Sequence, residues 1–164
     1  MPREEEVVEG VDRAALERVA YDPCIAVLAE LDEPSALPPP GALDPGCEPI
    51  GWIADNLAKG VSPLPTATLH ATARFSAANF ERDREESAQD LLRAADSLLG
   101  VPVRRHRVHA WRYARPAVLA DGPCRLAAGL PPLVFAGDAF VAPRVEGAAI
   151  SGLAAADALL ERMS

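Results

Sequence analysis

The stretch LVFAGDAFVAPRVEGAAISGLAAADALL, residues 133–160, decides how this chain is to be read. Leu133 to Ala136 form a continuously apolar run, the pattern of a short strand buried on both faces. Gly137 allows a turn that a residue with a Cβ resists, and Asp138 then places a carboxylate at the strand's carboxyl end, where open α/β sheets collect their ligands. A carboxylate there can accept hydrogen bonds from sugar or ribityl hydroxyls. A helix is expected from about Val145, yet VAPR before it offers no Ser, Thr, Asp or Asn as a cap. Its first amides therefore either face an electron-rich ligand oxygen, helped by the macrodipole, or are capped by water or another loop. Gly147, Ala148, Ser151, Gly152 and Ala155 keep the helix thin, for close approach to a sheet or to a flat ring.

Working outward, the chain has 164 residues, 49% of them hydrophobic and 24% charged, enough for a real core. A net charge of -8 opposes general binding to nucleic acid or to an anionic membrane. The arginines at 104, 105, 107, 112 and 115 interleave with Trp111 and Tyr113 but do not overturn that balance. MPREEEVVEG has no apolar signal core and no 18-residue apolar run occurs, so a cytoplasmic protein is expected. Glu4 to Glu6 read as a solvated tail. Cys24, Cys47 and Cys124 lack disulfide or zinc spacing and are expected as free thiols. His106 and His109, three apart on a strand, face opposite ways, so no metal site is expected.

A short helix is expected over Val11 to Val19 and a long strand over Tyr21 to Asp32, followed by a Pro/Gly loop. Strands follow at Ile50 to Asn56 and Thr66 to Ala73. Asp83 with Glu86 forms a capping box for a helix whose Ala88, Leu91, Leu92, Ala95, Leu98 and Leu99 make one apolar face, ending at Gly100. Val103 to Arg115 is a further strand, closed by Pro116. The order of elements predicts a mixed α/β to α+β fold: a mixed sheet with flanking helices, plus a C-terminal strand-turn-helix. On that reading residues 1–20 are a helical lead-in, 21–118 the sheet and its helix, and 119–164 the C-terminal segment.

AGDAFVAPRVEGAAISGLAAADAL resembles the C-terminal flavin-binding segment of the FAD-dependent amine oxidase superfamily, in which a Gly-Asp or Gly-Glu follows a strand and an EGA…SG helix points at the isoalloxazine. WIADN with Lys59 and Gly60, and HAWRYARP (His109 to Pro116), are similar to the renalase-like bacterial members, over most of the chain from about Tyr21. The resemblance implies FAD as cofactor and a Rossmann-like binding segment. Gly137, Asp138, Arg144, Val145, Glu146 and Gly147 would lie at the flavin: Asp138 on the ribityl chain, the amides around Val145 and Glu146 at the pyrimidine end, Arg144 nearby. Trp111 and Tyr113, two apart on one strand face with His109 and Arg115, would wall the site or simply pack as aromatics. Asn56 and His70 would face substrate, or His70 is an ordinary hydrogen-bonded histidine. The implied reaction is hydride transfer from an amine or dihydronicotinamide-type small molecule to flavin, with oxygen as acceptor.

Members of that superfamily open with a strand, a G-x-G-x-x-G turn and a helix that hold the FAD pyrophosphate, and no G-x-G-x-x-G occurs in these residues. The chain therefore resembles the second half of such an enzyme. A truncated product, one subunit of a split flavoenzyme, and a non-catalytic binding or interaction module all fit. An incomplete sheet predicts self-association or a partner chain that supplies the missing FAD-binding fold.

Overall fold

The computed structural model describes residues 13–127 and 132–163. The acidic run Glu4 to Glu6 and the start of the expected first helix lie outside them. The described residues fall into two compact units: Asp22–Ala114, and the segments up to Tyr21 and from Arg115 onward.

The first unit is built on a sheet of β1 (Ala20–Leu31), β2 (Ala42–Leu43), β3 (Ile50–Asp55), β4 (Thr66–Ala71) and β5 (Val103–Val118), in the order β2-β3-β4-β1-β5. The ladders β2-β3, β3-β4 and β4-β1 are antiparallel. β5 also runs against β1, since Asp32 at the end of β1 pairs with Arg104 at the start of β5 at 3.0 Å. The fold is thus the mixed α/β arrangement of sheet and flanking helices that the element order predicts. β2 falls inside the expected Pro/Gly loop, as a two-residue pairing too short to leave a periodic signal.

α1 (Arg13–Glu17) precedes the sheet, and α2 (Ala73–Asn79) and α3 (Arg84–Leu99) follow β4. β4 stops at Ala71 rather than Ala73 because Thr72 starts a helix there, its hydroxyl accepting from the Phe75 amide at 3.1 Å. Ala88, Leu91, Ala95 and Leu99 of α3 are fully buried against Ile25, Val27, Ile53 and Leu69. This i, i+3, i+7, i+11 stripe forms the core the sequence predicts. Gly100 ends α3 at φ 68, a conformation open to glycine at little cost, with Ala36 close enough that a Cβ would lie 2.8 Å away.

The capping box is only half made. Asp83 accepts from the Glu85 and Glu86 amides at 2.9 and 3.1 Å, but Glu86 turns its carboxylate to Arg82 at 2.8 Å. Asp83→Ala should remove both amide contacts and lower stability by about 1 kcal/mol. Chemical denaturation checks this, and no loss would mean that water caps the helix equally well.

β3 reverses its alternation once. Ile50 and Ile53 are three apart and both reach the core, which a regular strand forbids; a bulge between Ile50 and Trp52 resets the pleat. Pro116 lies inside β5 rather than ending it. β5 is an edge strand, where a proline is tolerated because only one side of the strand has a ladder to break.

The second unit holds β6 (Arg125–Leu126), β7 (Val134–Phe135) and α4 (Val145–Met163). β6 and β7 pair with each other, Arg125 opposite Phe135 and Leu126 opposite Val134. β7 is therefore not the strand buried on both faces that Leu133 to Ala136 suggests. Its two residues are half-buried, because a two-stranded ribbon leaves one face open. A small core of Ala120, Ala139 and Phe140, with Leu16, Val19, Tyr21, Phe135 and Val141, sits beside them. No helix among the described residues is long and apolar enough to cross a membrane.

Candidate functional site

Each unit contributes one candidate surface. In the sheet unit, α3 covers one face and leaves the other open. The ladder register sets Trp52, His70 and Ala26 side by side on that open face, with Ala54, Thr68 and Leu28 in the next row. Trp52 and Leu28 are 41% and 49% exposed, so this face presents apolar surface to solvent. Asn56 donates to the Thr68 hydroxyl at 3.0 Å. Along β5, Val108 and Ala110 turn to the α3 core, so His109, Trp111 and Tyr113 share the opposite side. The His109 and Trp111 rings meet at a tilt of 60° with centroids 4.3 Å apart, and Trp111 and Tyr113 are 56% and 75% exposed. His106 points the other way, to Glu85 of α3 at 3.0 Å.

Asn56, His70, Trp111 and Tyr113 thus all belong to the open side of one sheet. Partial burial against its neighbours, and then the Lys59 charge, hold the His70 imidazole below its ordinary pKa. Neutral near pH 7, it can accept a proton from a bound molecule. Trp52 and Leu28 join this face through strand register, which no periodicity in the sequence shows. The bulge that turns Trp52 outward leaves only Gly51 as a sequence trace.

In the other unit, Gly137 takes φ 147, and its amide donates to the buried Ser151 hydroxyl at 2.9 Å. This bond ties the Gly137–Asp138 turn to the second turn of α4. Gly147 lies on the same side of the helix, buried against the chain at Ala142. A Cβ added there would sit 2.7 Å from the Ala142 nitrogen and closer still to its carbonyl. Gly147 therefore sets the helix against the turn, whereas Gly152 is exposed, with nothing within 4 Å of an added Cβ.

Asp138 is half-buried and accepts from the Tyr21 hydroxyl at 3.4 Å. Partial burial, then the Asp138 charge and this bond, raise the Tyr21 pKa. Arg144 and Glu146 are exposed and Val145 is 90% exposed, so the first turn of α4 is open to solvent on the side away from Gly147. The place of Ser151 among small helix residues does not reveal the role of its hydroxyl, which depends on a contact 14 residues away.

Among the described residues no group of His, Cys, Asp and Glu could hold a metal ion. Cys24, Cys47 and Cys124 are free. No family model matches the sequence. In three dimensions the chain is similar to the crystal structure titled "Putative protoporphyrinogen oxidase from Exiguobacterium sp. 255-15", with a TM-score of 0.61, 14% identity and 96% of this chain covered. The match takes in 39% of that structure's chain, so this chain spans about two fifths of its length, and the likeness is one of fold.

Proposed function

We propose that the chain is part of a cytoplasmic, FAD-dependent oxidoreductase of the amine oxidase superfamily, of the renalase-like type. In this reading it supplies a substrate-facing sheet and the segment that holds the flavin end of the cofactor. The observation that carries the reading is the Gly137–Asp138 turn, pinned by Ser151 to a long helix whose start is solvent-exposed at Val145 and Glu146 and is preceded in VAPR by no Ser, Thr, Asp or Asn. The fold likeness to a protein titled as an oxidase supports it.

The residues present fit one end of the cofactor. Asp138 would accept hydrogen bonds from ribityl hydroxyls. The amides at Val145 and Glu146, at the positive end of α4, would hold negative charge at the pyrimidine edge, with Arg144 beside them. Without G-x-G-x-x-G, these residues offer the pyrophosphate no comparable cradle. Bound flavin would supply hydride acceptance, with oxygen as the expected acceptor in turn. The open sheet would orient the substrate, an amine or a dihydronicotinamide-type molecule, between Trp52, Trp111 and Tyr113 and exclude water from it. His70, neutral near pH 7, would take the proton that the substrate gives up.

Fluorescence titration with FAD tests this. The unaltered chain should quench the flavin saturably, and Asp138→Ala should weaken binding about tenfold or more, the worth of one hydrogen bond to a charged acceptor. Equal affinity of the two proteins would remove Asp138 from the site, and no binding by the unaltered chain would overturn the reading.

A second reading is an interaction module that pairs with another copy or a partner chain. Ile150, Leu153, Leu160 and Met163 of α4 favour it, being 46 to 75% exposed on one helix. A concentration-independent monomer in sedimentation would count against it.

A further inference from the structure

On the open face of the sheet, the row holding Glu30 and Thr66 lies four residues along the strands from the row of Trp52 and His70, about 13 Å away. At that end the surface dips into a cleft of about 350 Å³, lined chiefly by Leu28, Glu30, Asn56, Thr66, Arg105 and Arg107. Its floor is partly apolar, through half-exposed Leu28. Its rim carries an amide, a hydroxyl and two guanidinium groups.

The charges do not cancel. Glu30 pairs with Arg105 at 2.6 Å, and Asp32 takes Arg104 at 3.0 Å. The Arg105 bond holds the Glu30 carboxyl below its usual pKa, with Arg104 and Arg107 adding to the effect. Among the described residues Arg107 itself has no carboxylate within ion-pair distance. The cleft therefore keeps one uncompensated guanidinium in a chain whose net charge is -8. Guanidinium matches a carboxylate or a phosphate with paired N–H donors, and the Asn56 amide and Thr66 hydroxyl add donors across the cleft.

We propose that this cleft binds the anionic group, carboxylate or phosphate, of a small ligand whose flat apolar body extends over Leu28 toward Trp52. Arg107 makes the primary contact and Arg105, held by Glu30, the flank. The excess positive charge of the cleft favours an anion-bearing molecule over an uncharged one of the same shape. Calling that molecule the substrate rests on the flavoenzyme reading; the binding does not, and it needs no flavin.

Calorimetric titration of the flavin-free chain with 2-naphthoate, 2-naphthyl phosphate and uncharged 2-naphthamide tests the proposal, since the three share one flat body. At least one anion should bind ten times or more tightly than the amide, and the tighter of the two identifies the group as carboxylate or phosphate. Arg107→Gln should bring the anion down to the amide's affinity and leave the amide unchanged. Arg107→Lys should keep part of the preference, and Arg74→Gln, at an exposed arginine of α2, should keep all of it. Equal binding of anions and amide, or an equal loss in Arg74→Gln, would overturn the proposal. Failure of FAD binding would leave this result standing, and the reverse holds too.

Discussion

Gly147→Ala should lower stability by about 3 kcal/mol, although alanine is the better helix former. The added Cβ would overlap the Ala142 backbone, which cannot swing aside as a side-chain end does, so the helix must move off the turn. That movement also breaks the Ser151 bond to Gly137. In a chain of 164 residues the melting temperature should fall by about 6 to 12 °C. Gly152→Ala is the matched control: nothing lies within 4 Å of its added Cβ, so it should gain up to about 1 kcal/mol from helix propensity. If both substitutions stabilise the protein, α4 does not press on Ala142 as described.

Asp55→Ala should be comparably severe. Asp55 is 4% exposed at the end of β3, where its carboxylate accepts from the Ser35 hydroxyl at 2.6 Å and the Ala58 amide at 2.9 Å. Truncation leaves these donors without their acceptor and undoes the tie between the loop after β1 and the turn after β3, a loss of about 2 to 4 kcal/mol. The pH dependence follows from the same contacts. Burial alone would raise the Asp55 pKa, but Ser35 and the surrounding amides outweigh it and hold the folded pKa below the ordinary value. A depressed folded pKa means that the contribution is complete above the unfolded value, near 3.9, and lost as pH falls through the folded one. The gap in melting temperature between the unaltered and Asp55→Ala proteins should be wide at pH 7 and close in acid below pH 4. A gap that stays constant with pH would show that the ionised carboxylate is not what matters.

The parts of this structure that were legible in sequence are those with a strong local cause. The α3 stripe repeats at helical spacing and ends in a glycine with positive φ, and the start of α4 at Val145 follows from its small-residue run. Contacts between distant segments were not legible. The identity of β5 as an edge strand, which admits Pro116, is a property of sheet order. The apolar run at Leu133 is equally good in a buried strand or in a two-residue ribbon, and only pairing with β6 decides. In the candidate site, alternation along β5 placed Trp111 and Tyr113 on one side. The bulge that brings Trp52 outward and the Glu30–Arg105 pair that leaves Arg107 uncompensated arise from register between strands.

A flavin held by the Gly137–Asp138 turn and the first turn of α4 would show most plainly in the visible spectrum of the purified chain after incubation with excess FAD and desalting. Retained protein-bound absorbance in the two flavin bands, diminished in Asp138→Ala, is the predicted result; a colourless protein that also leaves FAD fluorescence unquenched would contradict it.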